Sequence, residues 1–524
     1  MAFVLKISHS SDITLTTGEY NVEYTPQYNG SAETVTETAV ITTRSSNLAN
    51  QQATLQNIVR AFDLAKRRRD TGRGTRVYIK FTESGDANTY RSELWSNDPN
   101  DPPGTIEVLP PTLQPLVFDR FATQIRLTWT RRNYWEHDSE TALTLSNGSG
   151  SSSGGLSMVS MHEGAVFTNT TVSFAAANYR ISDSGSGFAI FAVGDVISLR
   201  GSTLNDGTYT VAVVDAGGAY IDVNEPIVDE AAGDTVKIYD IQNYAHIDSA
   251  SILGDLPAAC RVELTVNDAS ADLETMWIGQ NFQSGPETFV HMLDAGDSDT
   301  GSNTADVTCT NVIRRTYAIG ATEAKVTGWT IPTETLTAAN GGYFKVLARF
   351  GLITNITAVK WRLKLLYGST VIWQGGQVQF DDSYAAVVRI VRELDTVQLP
   401  PFVPENSVPT DLTLELWAVR TGGAINVDLD TLILLPLDGY RRLRSLSGVA
   451  DQSELIDDGI NGTYYQEIAN EQVRDITAVG SPIMLWPNTD NRLYFVYHSE
   501  TDAISYEDWT YTAIVKYRPR RAAL

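Results

Sequence analysis

The sequence predicts a mainly β, multidomain protein: a β-barrel or β-sandwich carrying one helix, a small β module and a jelly-roll-like β-sandwich. Alternating apolar and polar residues recur in short runs such as VLKIS, YNVEYT and TVTETAVITT, and a period of two is typical of half-buried strands. Turn residues, mostly Gly, Asn and Asp, separate many of these runs. At 524 residues, the chain is longer than one hydrophobic core usually organises.

The charge balance argues against nucleic acid as the main partner. The chain has 39 Lys and Arg residues against 63 Asp and Glu residues, a net charge of −24, and such a surface repels phosphate backbones and anionic lipids. The N-terminal MAFVLKISHSSDITL has no basic leader before a long apolar run, so we expect no signal peptide. No window approaches the roughly 20 apolar residues of a membrane span. Cys260 and Cys309 are too few for a disulfide framework, and two free buried thiols are expected.

Residues 1–146 form the first predicted domain, which contains the clearest helix of the chain. In SSNLANQQATLQNIVRAFDLAKRRRD, the apolar residues follow the i, i+3, i+4, i+7 spacing of one helical face. That stripe consists of Leu55, Ile58, Val59, Phe62 and Ala65. Polar residues at 45–47 can cap the helix start, and the cations at 66–69 suit its end. The KRRR run could bind an anion, but a solvated helix end is favoured in so acidic a chain.

A Gly/Ser-rich stretch and a small β module follow. LSNGSGSSSGGLS cannot bury enough surface to order itself, so residues 147–159 are predicted to be a linker or flexible loop. Residues 160–241 are predicted to form a small barrel or sandwich. Their short strands alternate with turns at Gly-Asp (194–195), Asn-Asp-Gly (205–207) and Gly-Gly (217–218).

Residues 242–440 are predicted to form a larger, jelly-roll-like sandwich. Strand candidates such as ACRVELTVND, GYFKVLARFG and TLELWAVRTG follow one another, and no helical period competes over this span. The Pro-rich QLPPFVPENSVP is predicted to cross between sheets. Residues 441–524 are a C-terminal β segment. It is either a domain of its own or a return to the first domain, to which VKYRPRR could add an edge strand.

The stretch TRRNYWEHD, residues 130–138, groups ionisable and aromatic residues closely enough to suggest a catalytic cluster. Neighbouring residues on a strand point to opposite faces, so Glu136, His137 and Asp138 cannot all face one substrate. A continued strand would give two faces, with Trp129, Arg131 and Asn133 on one and Arg132, Tyr134 and Glu136 on the other. The stretch is therefore predicted to be an exit strand that leads into the linker.

No catalytic or metal-binding motif is predicted. The six histidines form no H-x-x-x-H pair, and Walker and G-x-G-x-x-G motifs are absent from the sequence. No G-x-S-x-G nucleophile elbow is expected, because that motif needs a turn between a strand and a helix. The histidines are His9, His137, His162, His246, His291 and His498. The loop DAGDSDTGSNTAD could cage calcium through Asp294, Asp297, Asp299 and Asp306, but it departs from the EF-hand pattern, and a solvated acidic loop is favoured. A carboxylate pair of a glycoside hydrolase stays open, because its separation is spatial. We predict no catalytic residue, no metal ligand and no cofactor-binding residue.

Aromatic residues are frequent in the predicted jelly roll. They are Trp329, Tyr343, Trp361, Tyr367, Trp373, Tyr384 and Trp417. An exposed aromatic platform would stack on sugar rings and make this face a carbohydrate-binding site. Burial in the sandwich core and at its rims is favoured, because aromatic residues dominate β cores.

Several segments resemble structural proteins of bacteriophage tails. Strands followed by one amphipathic helix and a strand ending RLTWTRRNYW are similar to the tail-tube-like domain of distal tail proteins. FAVGDVISLRGSTLNDGTYTV looks like small β modules of phage structural proteins, and LDTLILLPLDGY and VKYRPRR look like segments of large tail proteins. The resemblance implies a tail-tube-like ring around the tail axis with peripheral sandwich domains, and it carries over no catalytic residue. The inserted module and long sandwich make this chain larger than a minimal distal tail protein.

The sequence therefore predicts a virion structural protein of the distal tail or baseplate type, and not an enzyme. The predicted partners are copies of the same chain in a ring, other phage tail proteins and host-surface carbohydrate. Sequence-specific nucleic acid binding, membrane insertion and cofactors are not expected. The expected location is the virion tail, after assembly in the host cytoplasm. The alternative is a carbohydrate-binding or glycan-degrading β-sandwich protein.

Overall fold

The computed structural model describes most of the chain. The described residues are 3–16, 20–28, 32–43, 48–100, 102–109, 124–147, 150–159, 163–205, 207–241, 244–267, 272–282, 292–294, 298–305, 313–331, 341–355, 358–380, 383–400, 412–498 and 510–523. Within these stretches the protein is mainly β, as the sequence predicts, and carries one α-helix, Leu48–Thr71. The Pro-rich segment predicted as a crossover lies outside the described residues from position 401.

The chain divides into two compact units. The first contains Met1–Thr141, Leu253–Ala258 and Tyr517–Leu524, and the second contains Ala142–Ile252 and Ala259–Lys516. The second unit is therefore an insertion in the chain of the first. The domain boundaries drawn from the sequence stay predictions.

Two sheets and the helix make up the first unit. The six-stranded sheet has the order Asp12–Thr14, Phe3–Ser8, Tyr78–Glu83, Tyr90–Glu93, Trp135–His137 and Arg520–Arg521. The four-stranded sheet has the order Tyr20–Glu23, Thr34–Thr43, Gln124–Arg132 and Gly104–Leu109. Alternate side chains of both sheets, among them Ile7, Ile41 and Leu127, fill one shared core.

The helix packs on this core through the predicted stripe, with one exception. Ile58, Phe62 and Ala65 are buried, whereas Val59 is 48% exposed and Ala61 is buried in its place. With 3.6 residues per turn, Ala61 lies about 60° from Ile58 around the helix and Val59 lies about 100° away. The centre of the buried face is thus rotated around the helix axis, away from Val59 and towards Ala61. The predicted cap at 45–47 lies outside the described residues.

Within the second unit, the residues predicted as a small β module form one antiparallel sheet. Its order is Glu163–Asn169, Val236–Ile241, Val196–Arg200, Gly207–Val214, Tyr220–Val223, Arg180–Asp183 and Val172–Ala175. Ile181, Ile197 and Ile221 belong to a hydrophobic core confined to this module. The module therefore has the local core that an independent β unit requires.

A β-sandwich follows in the chain. One sheet has the order Ser302–Ala305, Ile313–Ile319, Ile425–Pro436, Gly342–Asn355 and Ser383–Leu399, with Met292–Asp294 also paired to Ile425–Pro436. The other has the order Ala324–Ile331, Leu412–Arg420, Val359–Tyr367 and Thr370–Gln374, with Val378–Gln379 also paired to Val359–Tyr367. Side chains of both sheets, such as Phe350 and Leu414, share one core.

Two further sheets complete the described fold. A seven-stranded sheet has the order Gly150–Ser152, Leu145–Asn147, Tyr244–Ile247, Asn491–His498, Leu273–Asn281, Gly439–Val449 and Ile476–Gly480. An eight-stranded sheet has the order Thr141–Ala142, Thr510–Tyr517, Ala258–Val266, Glu454–Asp458, Thr463–Ile468 and Glu471–Val473. In that sheet Leu156–Val159 also pairs with Thr510–Tyr517, and Met484–Leu485 with Ala258–Val266.

The Gly/Ser-rich stretch predicted as a linker contributes strands to both of these sheets. Gly150–Ser152 pairs with Leu145–Asn147, and Leu156–Val159 pairs with Thr510–Tyr517. Ladder hydrogen bonds use only the backbone, so a segment of small side chains can be ordered by its neighbours. The amino-acid composition indicated that these side chains bury little surface, but it could not indicate that the backbone pairs with neighbouring strands.

Candidate functional site

The TRRNYWEHD stretch is divided between the two sheets of the first unit. Its first residues end the strand Gln124–Arg132, and Trp135–His137 then enters the other sheet between Tyr90–Glu93 and Arg520–Arg521. The prediction of one continuous exit strand is therefore wrong beyond Arg132.

Hydrogen bonds at Asn133 accompany the change of sheet. Its backbone N–H donates to the Glu33 carbonyl at 3.0 Å, and its side-chain amide donates to the Ala32 carbonyl at 2.7 Å. A strand that continued straight would break these bonds. The turn is thus held by a side chain whose partners lie about a hundred residues earlier in the chain, which alternation along one strand cannot reveal.

Trp129 and Arg131 lie on one face, as the alternation predicts, and meet at Glu37. The Arg131 and Glu37 side chains are fully buried and pair at 2.7 Å between Nη2 and Oε1. The same carboxylate accepts hydrogen bonds from Trp129 Nε1 at 3.1 Å and from the Tyr24 hydroxyl at 2.8 Å. Burial, and then the negative charge of Glu37, raise the pKa of Tyr24. These residues clamp the strands Thr34–Thr43 and Gln124–Arg132 together.

A second polar cluster, the closing junction, consists of Arg91, Glu136, His137, Arg518 and Arg520. Arg91 Nε donates to Glu136 Oε1 at 3.0 Å, and Arg520 Nε lies 3.5 Å from Glu136 Oε2. Arg91 and Glu136 are both buried, and a buried charge depends on its partner because water no longer solvates it. The carboxylate therefore joins three strands of the six-stranded sheet.

Arg518 ties the returning chain to the same place. Its guanidinium donates to the backbone carbonyls of His137 and Asp138, and lies 3.2 Å from the Glu140 carboxylate. Burial, together with the positive charge of Arg91, lowers the pKa of Arg518. Carbonyl and carboxylate oxygens thus compensate a cation that is partly removed from water.

Aromatic rings cover the charged groups of the closing junction. The Arg520 guanidinium lies 4.3 Å from the ring centre of Tyr134, and that of Arg521 lies 5.2 Å from the ring centre of Tyr90, distances at which cation–π attraction acts. The Tyr90 ring also meets the His137 ring edge-on at 5.1 Å. Burial, and then the charge of Arg521, lower the pKa of His137.

The short segment at 253–258 forms hydrogen bonds with the C-terminal segment of the first unit. The backbone N–H groups of Asp255 and Leu256 donate to the Arg520 carbonyl at 2.9 and 3.3 Å, and the Tyr517 hydroxyl accepts from the Leu253 N–H at 2.6 Å. Gly254 has a φ of +101°, and a Cβ there would collide with the backbone of Arg520. The three chain segments of the first unit therefore meet around one short strand.

The cluster around Glu37 and the closing junction both connect strands within the first unit. Glu37 and Glu136 are held by cations and hydrogen-bond donors, and His137 packs against a ring. The sequence indicated the shared face of Trp129 and Arg131, but it missed Glu37 and Arg91 as partners.

The aromatic residues of the predicted jelly roll divide between core and surface. Trp329 and Trp361 are buried in the sandwich core, whereas Tyr343 and Tyr367 are exposed. The two exposed tyrosines belong to different sheets of the sandwich, so they do not form one flat platform. Trp373 and Trp417 are half-buried, and the side chain of Tyr384 lies outside the described residues.

The acidic loop and the cysteines show no ligand site in the part of the chain that the structure describes. There, no group of three or more His, Cys, Asp or Glu side chains is placed to hold a metal ion. Asp299 pairs with Lys325 at 2.5 Å and accepts the Gly328 N–H at 2.9 Å. Cys260 is a buried free thiol, and burial raises its pKa. Asp297, Asp306, Cys309, His162 and His291 lie outside the described residues.

In the described part of the chain, no helix combines the length and the apolar composition that crossing a membrane requires.

Known proteins show only distant likeness to this chain. No family model matches it, and no curated protein matches it. The VP2 subviral particle of infectious bursal disease virus is 8% identical, with 69% of this chain and 80% of that chain covered at a TM-score of 0.16. A chain of the phage p2 baseplate is 8% identical, with 83% and 98% covered at a TM-score of 0.20. Latent PorU from Porphyromonas gingivalis is 14% identical, with 69% and 32% covered at a TM-score of 0.15. TM-scores this low carry no argument about fold or function.

Proposed function

We propose that this protein is a structural component of a bacteriophage virion, of the distal tail or baseplate type, and not an enzyme. The observation that carries the proposal is the closing junction. TRRNYWEHD is the most enzyme-like stretch of the sequence, yet its Glu136 pairs with Arg91 and joins the segment 1–141 to the segment 517–524 through Arg520. A unit whose separate chain segments are held together by buried ion pairs and hydrogen bonds suits a protein that must keep its shape within an assembly.

The resemblance of residues 1–146 to the tail-tube-like domain supports the tail position. In its described residues the first unit has β sheets and one amphipathic helix, which lies between the strands Thr34–Thr43 and Tyr78–Glu83, the order on which that resemblance rests. The proposed partners are further copies of the chain, other tail proteins and host-surface carbohydrate. Catalysis, a cofactor, sequence-specific nucleic acid and membrane insertion have no part in this role. The proposed location is the virion tail, after assembly in the host cytoplasm.

Ring assembly would use the open edges of the four-stranded sheet. Within the described residues, Tyr20–Glu23 and Gly104–Leu109 each pair with a strand on one side only. An edge strand presents unpaired backbone groups to another chain. If one edge of a protomer pairs with the opposite edge of the next, the contact is head-to-tail and generates a ring when the rotation closes.

The direct test is the state of the purified full-length chain and its presence in particles. We expect light scattering after size-exclusion chromatography to show an oligomer at micromolar concentration, negative-stain images to show rings, and mass spectrometry to find the chain in purified phage. A chain that stays monomeric and is absent from particles would contradict the proposal.

A pair of threonines allows a matched test of the sheet edge. Thr105 on the edge strand and Thr38 on an inner strand both lie opposite Thr128 and are exposed. Lysine on an edge strand opposes the addition of another strand. Thr105→Lys should therefore weaken the oligomer, whereas Thr38→Lys should not. Equal effects of the two substitutions would exclude pairing through Gly104–Leu109.

The alternative of a free glycan-binding or glycan-degrading protein has less support, because Trp329 and Trp361 are core residues. It predicts binding on a glycan array or release of reducing sugar from host polysaccharide. The absence of both activities, with the chain present in particles, would remove it.

A further inference from the structure

A serine, a histidine and an aspartate of the second unit lie side by side, although they are far apart in the chain. Ser146 Oγ lies 3.4 Å from Nδ1 of the His246 ring, and Asp490 Oδ2 lies 3.3 Å from Nε2 of the same ring. A serine hydroxyl is a weak nucleophile unless an adjacent base accepts its proton, and that base is in turn oriented by a third group. The three side chains are arranged in this order.

Strand register brings the serine and the histidine together. Leu145–Asn147 pairs with Tyr244–Ile247, and in that pairing Ser146 lies directly opposite His246. Residues directly opposite each other place their side chains on one face of the sheet. The neighbouring Ala245 points to the other face and is fully buried. Ser146 is half-buried and the His246 side chain is 26% exposed, so a small reagent can reach this pair.

The Asp490 carboxylate is fixed and ionised. Its Oδ1 accepts from the Ser249 N–H at 2.9 Å, and Ser249 begins the short turn that follows the strand of His246. Burial opposes its ionisation, but the hydrogen bonds from Ser249 and His246 lower the pKa of Asp490. A negative charge beside Nε2 favours the imidazole proton on that nitrogen, and the other nitrogen of a neutral imidazole is then an acceptor. The acceptor, Nδ1, is the nitrogen that faces Ser146.

The charged groups around His246 keep its ring neutral. Burial, followed by the positive charge of Arg492, lowers the pKa of His246, whereas Asp490 and Asp248 act in the opposite direction. The pKa of His246 lies below its usual value as a result, so at neutral pH the ring can accept a proton. The distance of 3.4 Å to the Ser146 hydroxyl is longer than an ideal hydrogen bond, which is common between a nucleophile and its base when no substrate is bound.

We propose that Ser146 is an activated nucleophile and a site of covalent acylation by esters that have a good leaving group. Its Oγ attacks the carbonyl carbon of the ester while Nδ1 of His246 takes the hydroxyl proton. The bond between that carbon and the leaving oxygen then breaks, and the leaving oxygen takes the proton from the ring. One ester bond forms as another breaks, so the step needs no oxidant or reductant.

Asp490 is a positioning residue in this step, because it acts on the acyl group only through the ring of His246. The acylation site is independent of the proposed virion role, which would stand without it. The transfer of one acyl group to each chain is a modification of the protein and requires no turnover.

p-Nitrophenyl acetate and the full-length chain test the proposal. We expect the release of one equivalent of p-nitrophenol for each chain, and peptide mass spectrometry should place one acetyl group on Ser146. Ser146→Ala should remove this release. Ser151→Ala is the matched control, because Ser151 is exposed and lies opposite Ser146 on the other neighbouring strand, two strand spacings or roughly 10 Å from the strand of His246. This control should react like the unchanged chain.

Undiminished release by Ser146→Ala, or an acetyl group found only on other residues, would overturn the proposal. Release that continues beyond one equivalent and needs Ser146 would support the nucleophile and contradict the non-enzymatic role proposed above.

Two further variants test the base and its positioning residue. His246→Gln should slow acetylation of Ser146 by about 100-fold or more, the usual contribution of a general base. The rate should rise with pH as His246 loses its proton. In Asp490→Asn the midpoint of this rise should move to lower pH, because a carboxylate that raises the pKa of His246 is lost. A slower reaction with an unmoved midpoint would show that Asp490 only supports the fold, and an unchanged rate in His246→Gln would overturn the role of the base.

Discussion

The buried Glu37 cluster offers a direct test of what holds the first unit together. The substitution Glu37→Gln keeps the shape of the side chain but removes the charge that Arg131 faces. Five donors reach the two carboxylate oxygens: Arg131 Nε at 2.9 Å and Nη2 at 2.7 Å, the Gln27 N–H at 2.7 Å, the Tyr24 hydroxyl at 2.8 Å and Trp129 Nε1 at 3.1 Å. A glutamine side chain places an amide donor against some of these donors.

The expected loss is large because neither partner reaches water. Both side chains of the pair are 0% exposed, and removing one partner of a buried ion pair costs about 3–5 kcal/mol. Asp12→Asn is the matched control, because it breaks ion pairs of a partly exposed carboxylate with Lys6 and Lys80. An exposed pair contributes at most about 1 kcal/mol.

Hydrogen exchange measures this loss where it should occur. Thr34–Thr43 and Gln124–Arg132 are paired in a register that sets Glu37 opposite Trp129, so their amides should lose about 3–5 kcal/mol of protection in Glu37→Gln. The amides of the separate core around Ile197 should be unchanged. A loss below about 1 kcal/mol, or the same loss in Asp12→Asn, would refute the assignment of Glu37 as a structural clamp.

Three further outcomes follow from the first unit and from Cys260. Deleting residues 520–524 removes the closing strand, so amide protection should fall in Trp135–His137; unchanged exchange there would contradict the role of the closing junction. In a Cys309→Ser chain, Cys260 should resist a thiol reagent until the protein unfolds, because it is buried with a raised pKa; rapid native labelling would contradict this. Burial opposes ionisation of Asp12, but hydrogen bonds from neighbouring side chains lower its pKa to about 2. Its folded pKa lies below the unfolded value of about 3.9, so its stabilising effect is present above that value and is lost as the pH falls towards 2. An NMR titration of Asp12 checks this, and an unshifted pKa would contradict it.

The sequence predicted the parts of this fold that local periodicity records. Alternation predicted the strands and the shared face of Trp129 and Arg131, and helical spacing predicted the burial of Ile58 and Phe62. Val59 was misassigned because the periodicity of five apolar residues does not fix the centre of the buried face to within one position.

The sequence carries no comparable signal for contacts between residues that are far apart in the chain. Arg131 pairs with Glu37, which is 94 residues away, and the Arg520 side chain meets Glu136 only because a distant strand returns to the same sheet. With 63 acidic residues in the chain, charge alone cannot select the partner.

Buried ion pairs also occur in the second unit. Arg349 Nη1 lies 2.9 Å from Asp430 Oδ2, with both side chains 1% exposed, and Arg441 pairs with Asp457 at 2.8 Å. Such pairs contribute little net stability, because desolvation of the two charges offsets their attraction. A one-residue slip between strands would instead bury charges away from their partners. We infer that these pairs select strand register in a chain with many competing strand pairings.

Variants of the Arg349–Asp430 pair, which joins the strands Gly342–Asn355 and Ile425–Pro436, test register selection separately from stability. Asp430→Asn removes the buried negative charge that faces Arg349 and should lower the free energy of unfolding by about 3–5 kcal/mol, whereas Arg349→Met with Asp430→Leu should be nearly neutral or stabilising. Chemical denaturation measures both changes. The double variant should nevertheless show more than one exchange pattern for these two strands, because a slipped register no longer buries an unpaired charge. A single native pattern with undiminished stability would show that register is selected by the surrounding apolar side chains, and the inferred role of the ion pair would be wrong.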